Sequence, residues 1–392
     1  MAGSNKRRRS KAGVDQPSPA VAPAFSGAQS QHESQFAPEF WSHFTREHWE
    51  RQPLFIPKPF SRPLIREAEI FRAVLDACTR FCQEREDVPL AFYIEHARQV
   101  ASVVDYLPVA ADKNMVRYAS RISRTLRGQR FALIVEDIQA YAPELWWRFR
   151  EFLGGLDDAV PRAGVNRKAT VFIGNYAMTP SGLHVGTSGN FKFIISGRKR
   201  MRLWSDDFFR NQRGVNHTVH IERFLPAATT LECRAGDVLY WPSDQWHVGE
   251  AVGGLAVSVS LAVFIKSRAG KPAAGASERR IAAWLNRKTG GGFHRVPTPL
   301  PHRILADHRR VRCDPRFPIL WQTGDDGAII CSANGRAFAV KADEEIPKLL
   351  ARLNSGDVCQ VSELIATRSS LRALLEKLRQ LRAIFEVDDS GD

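Results

Sequence analysis

One stretch, SGLHVGTSGNFKFIISGRKRMRLW from Ser181 to Trp204, limits what this chain can fold into more than any other. His184 stands ahead of an apolar run from Phe191 to Ile195, Ser196-Gly197 breaks that run, and a second strand follows from Met201 to Trp204. Short apolar runs bounded by turn residues read as buried strands. A histidine at the mouth of such a strand can point into the space that a closed sheet encloses. Further on, GDVLYWPSDQWHVGEA supplies His247, again leading into a β-rich run, Leu255 to Ile265. Two imidazoles carried on antiparallel strands can pinch one metal ion.

These features together resemble a known family. His184, the turn Gly197-Arg198-Lys199-Arg200, Gly236-Asp237 opening a strand, and Trp246-His247 are similar to the iron(II)/2-oxoglutarate oxygenases of the JmjC type. Within that type they most resemble the branch that hydroxylates ribosomal-protein and other protein side chains. The likeness is good over residues 38–265 and looser beyond. It implies a mainly β fold with α, in which a double-stranded β-helix (cupin) core is flanked by helices. It also implies iron(II) held by His184 and His247, with 2-oxoglutarate and O2 as co-substrates. Lys199 stands where the family carries the cation for the distal carboxylate of 2-oxoglutarate, while Ser181, Asn190 and Ser260 match polar co-substrate contacts. Read alone, Arg198, Lys199, Arg200 and Arg202 are a solvated basic hairpin, but strand alternation requires that at least one reach inward.

One position departs from the family, which writes His-x-Asp or His-x-Glu where this chain writes His184-Val185-Gly186. The carboxylate of the usual two-histidine, one-carboxylate triad is missing. Glu250 should face away from the metal side, Asp206 and Asp207 lie beyond the hairpin, and Asp237 reads as a turn residue. Three readings follow. Chloride fills the vacancy and the enzyme halogenates an aliphatic C–H of a peptide or protein side chain, with Gly186 making the room and Thr187, Ser188 and Asn190 steadying the halide. Alternatively, water or a substrate group completes the shell of a JmjC-type peptide hydroxylase. In the third, the protein is a non-catalytic JmjC-like binder. The first is preferred, because His184, His247 and Lys199 are all retained.

The 392 residues, 44% hydrophobic and 10% aromatic, suffice for two domains plus a tail. Residues 1–34, with Lys6-Arg7-Arg8-Arg9 and a Pro/Ala/Ser/Gln-rich run, read as a disordered basic tail. Residues 35–265 are the JmjC/cupin catalytic domain, 266–315 a basic helical connector, and 316–392 a domain resembling the winged-helix α/β unit appended to ribosomal-type relatives. Of the net charge of +14, most arises between Lys266 and Arg312, where twelve Lys/Arg face two acids. That strip is either a solvated surface or a docking site for an acidic peptide or for RNA phosphates, with ribosome contact one form of the latter. The C-terminal domain can recruit peptide, nucleic acid or a second copy as a homodimer. Cys78 and Cys82, one helical turn apart, read as small buried hydrophobes, and the six cysteines support neither a zinc site nor a disulfide framework. No apolar run approaches the roughly 20 residues that span a bilayer. A cytoplasmic address is expected.

Overall fold

Two sheets, antiparallel but for one short edge strand, face each other across a barrel interior in the computed structural model, which describes residues 20–21, 36–84, 86–160, 166–210, 212, 215, 217–265, 272, 275–324, 327–366, 368 and 371–387. The larger sheet runs Ala20–Val21, Leu54–Ile56, Val238–Trp241, Gly189–Ser196, Ala256–Phe264, Asn166–Gly174, Phe131–Glu136, Leu90–Ile94, Ala97–Gln99. The smaller runs Thr229–Arg234, Arg198–Trp204, Trp246–Ala251, His184–Val185. This is the double-stranded β-helix that the resemblance implies. The chain switches sheets at Gly197, whose φ of +73° and close approach to the Leu255 carbonyl exclude a side chain.

Alternation along Gly189–Ser196 assigns the two faces of the barrel wall. Phe191 and Phe193 point outward into the main core, against Trp41, Phe44, Phe149 and Phe152 of helices Pro38–Glu47 and Pro143–Ala159. Asn190 and Lys192 point inward. Each ring so buried contributes roughly 1.5–3 kcal/mol, which fixes the register, because a one-residue slip would exchange the faces. The neighbouring strand Arg198–Trp204 behaves likewise. Lys199, Met201 and Leu203 are buried, while Arg200 and Arg202 lie outside and pair with Glu232 and Glu250.

Beyond the barrel, helix Glu278–Thr289 lays Ile281 and Leu285 on Ile330 of the sheet Leu320–Thr323, Ile329–Ala333, Arg336–Val340. A second three-stranded sheet, Cys359–Gln360, Arg310–Cys313, Ile384–Val387, carries helices Glu345–Asn354, Val361–Ile365 and Leu371–Gln380. The leucine stripe Leu371, Leu374, Leu375, Leu378 is core, as its spacing predicts. At the seam with the barrel, Arg150 is buried between the rings of Trp146, Trp147 and Phe317, and donates to Asn334 Oδ1 at 2.9 Å.

Some expectations shift. Arg310–Cys313, assigned to the connector, is the central strand of the C-terminal sheet. Cys82 is exposed rather than buried. Within the N-terminal tail, Ala20–Val21 pairs in parallel with Leu54 and Phe55, and the Lys6–Arg9 cluster lies outside the described residues. So do Lys266, Arg268 and Lys271. Within the remaining strip, Arg295 pairs with Asp87, and Arg303 and Arg309 with Glu386.

Candidate functional site

His184 and His247 are register partners on adjacent antiparallel strands, with ring centroids 4.3 Å apart. Each ring turns Nδ1 toward a backbone carbonyl two residues back, Gly182 O for His184 and Gln245 O for His247, both at 2.9 Å. Only a protonated Nδ1 can satisfy a carbonyl, so both rings are held in the tautomer that leaves the Nε2 lone pair free for a metal. Burial lowers both pKa values. His247, which also faces His184, is driven down to about 3, so it is neutral at physiological pH. The Trp241 ring packs 4.9 Å from His247.

A carboxylate clamp holds the turn that presents His247. Glu50 accepts from the Ser243 N–H at 3.1 Å and from the Ser243 hydroxyl, and its own N–H donates to the Tyr240 hydroxyl at 2.9 Å. Glu50 was not singled out in the sequence, since a lone acid far from either histidine carries no spacing signal.

Gly186 has neither a left-handed backbone nor a crowded environment. A Cβ there would meet His247 Cε1 at 3.5 Å and Ser188 O at 3.9 Å, which is ordinary contact. The fold therefore tolerates a side chain beside the His247 ring edge, and the sequence simply lacks one. Among the described residues no set of three or more His, Cys, Asp or Glu is placed to hold a metal. Glu250 does face away, bound to Arg200 and Arg202; Asp206 and Asp207 pair with Arg210, and Asp237 caps its turn by accepting from Arg234 N–H at 2.8 Å. His217 stacks on His184 at 5.6 Å between centroids with planes 11° apart.

The two histidines open into a cavity of about 560 Å³ whose wall also includes Ser181, Ser188, Asn190 and Ser260. Thr187 instead lines an adjoining groove of about 460 Å³, which shares Lys168 and Phe264 with the cavity. Of the basic hairpin, Lys199 is the residue that reaches inward, and it is fully buried. It is not part of the cavity wall: its Nζ contacts the Tyr176 hydroxyl and sits 4.2 Å above that ring. The lysine that does line the cavity is Lys192, 3% exposed, donating to Ser260 Oγ at 3.1 Å and lying 4.0 Å over the Phe172 ring. Burial pushes its pKa down to about 7. The Lys199 ammonium is also disfavoured, first by burial and then by Lys192. The available signal for Lys192 was a single charge inside the otherwise apolar FKFII. Asn190 Oδ1 and Trp241 Nε1, both on the cavity wall, are buried without a hydrogen-bond partner.

The sequence model described as the JmjC domain matches residues 145–269, which contain both histidines, Gly186 and both inward lysines. The chain carries a JmjC domain. No curated relative matches the sequence. Among solved structures the fold is similar to that of E. coli YcfD, at 12% identity and a TM-score of 0.50, covering 91% of this chain and 100% of that one. A second structure of the protein, described as a ribosomal oxygenase from Escherichia coli, aligns at 13% identity with a TM-score of 0.48 over 92% of this chain and 100% of the other. A third, of YcfD in complex with cobalt and 2-oxoglutarate, aligns at 12% identity with a TM-score of 0.49 over 91% and 100%. At such identity the likeness speaks to the fold. No described helix is long and apolar enough to cross a membrane.

Proposed function

We propose that this JmjC-domain protein is a non-haem iron(II)/2-oxoglutarate-dependent enzyme that modifies an aliphatic C–H of a peptide or protein side chain, and that it halogenates. The observation that carries the reading is the pair His184 and His247, neutral and with Nε2 free, beside an unfilled ligand position at Gly186. The donor set fits iron(II), for which imidazole is a favoured ligand. Trp241 Nε1, a buried donor without a partner on the cavity wall, and the Lys192 ammonium, whose hydrogen-bond partner is the neutral Ser260 hydroxyl, fit the acceptor oxygens of an oxo acid. When bound, iron(II), 2-oxoglutarate and O2 supply the oxidising power to remove hydrogen from an unactivated carbon.

The chain's residues would divide the remaining work. His184 and His247 hold the metal through Nε2, with their Nδ1 protons fixed on carbonyls. They bring no negative charge, so an anion such as chloride is favoured where Gly186 offers none, and the cavity lysine adds positive potential. Ser188 and Asn190 stand on the same wall as donors, whereas Thr187 lies on the neighbouring groove, where it meets the substrate instead. That groove gives a side chain a path into the cavity. The C-terminal unit, which we read as winged-helix-like, and the connector would recruit the partner, an acidic peptide or a protein on the ribosome. YcfD, described as a ribosomal oxygenase, makes ribosomal proteins the first class to try.

YcfD also favours a second reading, hydroxylation with water at the Gly186 position. The product mass decides between them. Peptide turned over with chloride should gain chlorine in place of hydrogen, with bromide competing; oxygen insertion alone, unchanged by chloride, ends the halogenase reading.

A further inference from the structure

We infer that Lys192, with Ser260 and Asn190, forms the carboxylate-anchoring subsite of this cavity and takes over the role that the resemblance gives to Lys199. The inference rests on the proposed co-substrate for its ligand, but the subsite itself needs no metal. Lys192 is almost completely buried, projects from the strand Gly189–Ser196 into the cavity, and has one hydrogen-bond partner, the neutral hydroxyl of Ser260 at 3.1 Å. No carboxylate among the described residues pairs with it. A buried ammonium without a counter-ion is costly and is found where a ligand supplies the missing charge. Asn190, two residues earlier on the same inward face, contributes a buried amide whose oxygen position has no partner; an amide turned over would offer N–H to a carboxylate oxygen.

Lys199 is differently placed. Its Nζ already contacts the Tyr176 hydroxyl and ring, and it is absent from the cavity wall. With two lysines inside one barrel, the ammonium with cavity access can meet an incoming anion without moving, and the other stays within the packed interior.

A carboxylate arriving at Lys192 restores a charge that burial disfavours, so binding should be accompanied by proton uptake at and above pH 7. The sign follows from the free amine titrating at about 7: above that pH the site must be protonated before it can pair, and affinity falls as pH rises.

The test uses the full-length, chelator-treated protein and succinate as the probe, followed by calorimetry in buffers of different ionisation enthalpy. Expected are metal-independent binding with proton uptake at pH 8, at least a tenfold loss in Lys192→Gln, and partial retention in Lys192→Arg. Thermal unfolding confirms that each variant is folded. Lys192→Met removes the same charge with an unbranched apolar chain suited to a buried position, and supplies the second variant, with the same loss expected, if Lys192→Gln is unstable. Succinate affinity lost in Lys199→Gln but kept in Lys192→Gln overturns the assignment. Failure of the iron reading looks different. Wild-type protein that binds succinate through Lys192 but gives no charge-transfer band with iron(II) and 2-oxoglutarate keeps the subsite and loses the enzyme, whereas an unchanged band and 2-oxoglutarate affinity in Lys192→Gln keeps the enzyme and removes the subsite.

Discussion

The Asp244 N–H donates to the Gly186 carbonyl at 2.9 Å. That bond fastens the loop after His184 to the turn before His247, so the two imidazoles are presented by segments tied to each other as well as by paired strands. The site is therefore built before any metal arrives, and the predictions below concern what fills it.

His184→Ala or His247→Ala should abolish joint binding of iron(II) and 2-oxoglutarate while leaving the barrel folded, since the apolar wall does not depend on either ring. Anaerobic titration reads this as loss of the visible metal-to-ligand charge-transfer band. Wild-type protein without the band, alongside folded variants, would favour a non-catalytic binder.

Gly186→Asp should fold normally, because a Cβ there meets nothing closer than 3.5 Å. It would restore a carboxylate beside His247 and exclude a halide. Chlorinated product should fall roughly tenfold or more relative to total succinate formed, the remaining turnover passing to oxygen insertion or to uncoupled succinate. Mass spectrometry of product against succinate yield checks it, and undiminished chlorination would show that the halide sits elsewhere.

Glu50→Gln should weaken iron(II) binding by roughly tenfold, since it loosens the Ser243 turn that presents His247 without touching the metal. The readout is the iron(II) dissociation constant in equilibrium dialysis. An unaltered constant would reduce Glu50 to a fold-stabilising role.

Lys192→Met should stabilise the ligand-free protein, and more at pH 6.5 than at pH 9.5. The folded-state pKa of Lys192 is depressed to about 7, so between there and the ordinary lysine range the unfolded chain binds the extra proton and stability rises with pH. The stability that Lys192 contributes above that window is lost as pH falls through about 7, and the variant escapes this loss. Each kcal/mol relieved raises Tm by roughly 2–4 °C in a domain of this size. Equal effects at both pH values would mean that burial does not depress the Lys192 pKa and that the ammonium stays charged throughout this range.

The parts of this molecule that follow from local pattern were legible in the sequence. His184 ahead of an apolar strand, the Gly197 turn and Trp246-His247 located the barrel through the family resemblance they carry, and the leucine spacing from Leu371 marks a C-terminal helix. Alternation required that at least one residue of the basic hairpin reach inward, and the structure shows it to be Lys199, with Arg200 and Arg202 outside. What alternation cannot supply is depth. Lys192 and Lys199 both face the interior, and only packing shows that one meets the open cavity while the other lies against Tyr176. Glu50 was illegible for another reason, because its contact with Ser243 joins segments far apart in the chain. Short elements such as Ala97–Gln99 carry too few residues for a periodicity to emerge, and helix Met115–Thr125 went unassigned.

The cage around Arg150 bears on how the protein comes apart. A guanidinium from the barrel's covering helix lies between Trp146 and Trp147 on its own side and Phe317 on the other. It is bonded to Asn334, whose amide in turn donates to the Leu381 and Arg382 carbonyls. Separating the two halves would strand that cation, whose pKa burial already pulls down to about 9, against apolar rings with its partner gone. The barrel and the C-terminal unit should consequently melt in one calorimetric transition, and a cut between them would release two pieces each less soluble than the whole.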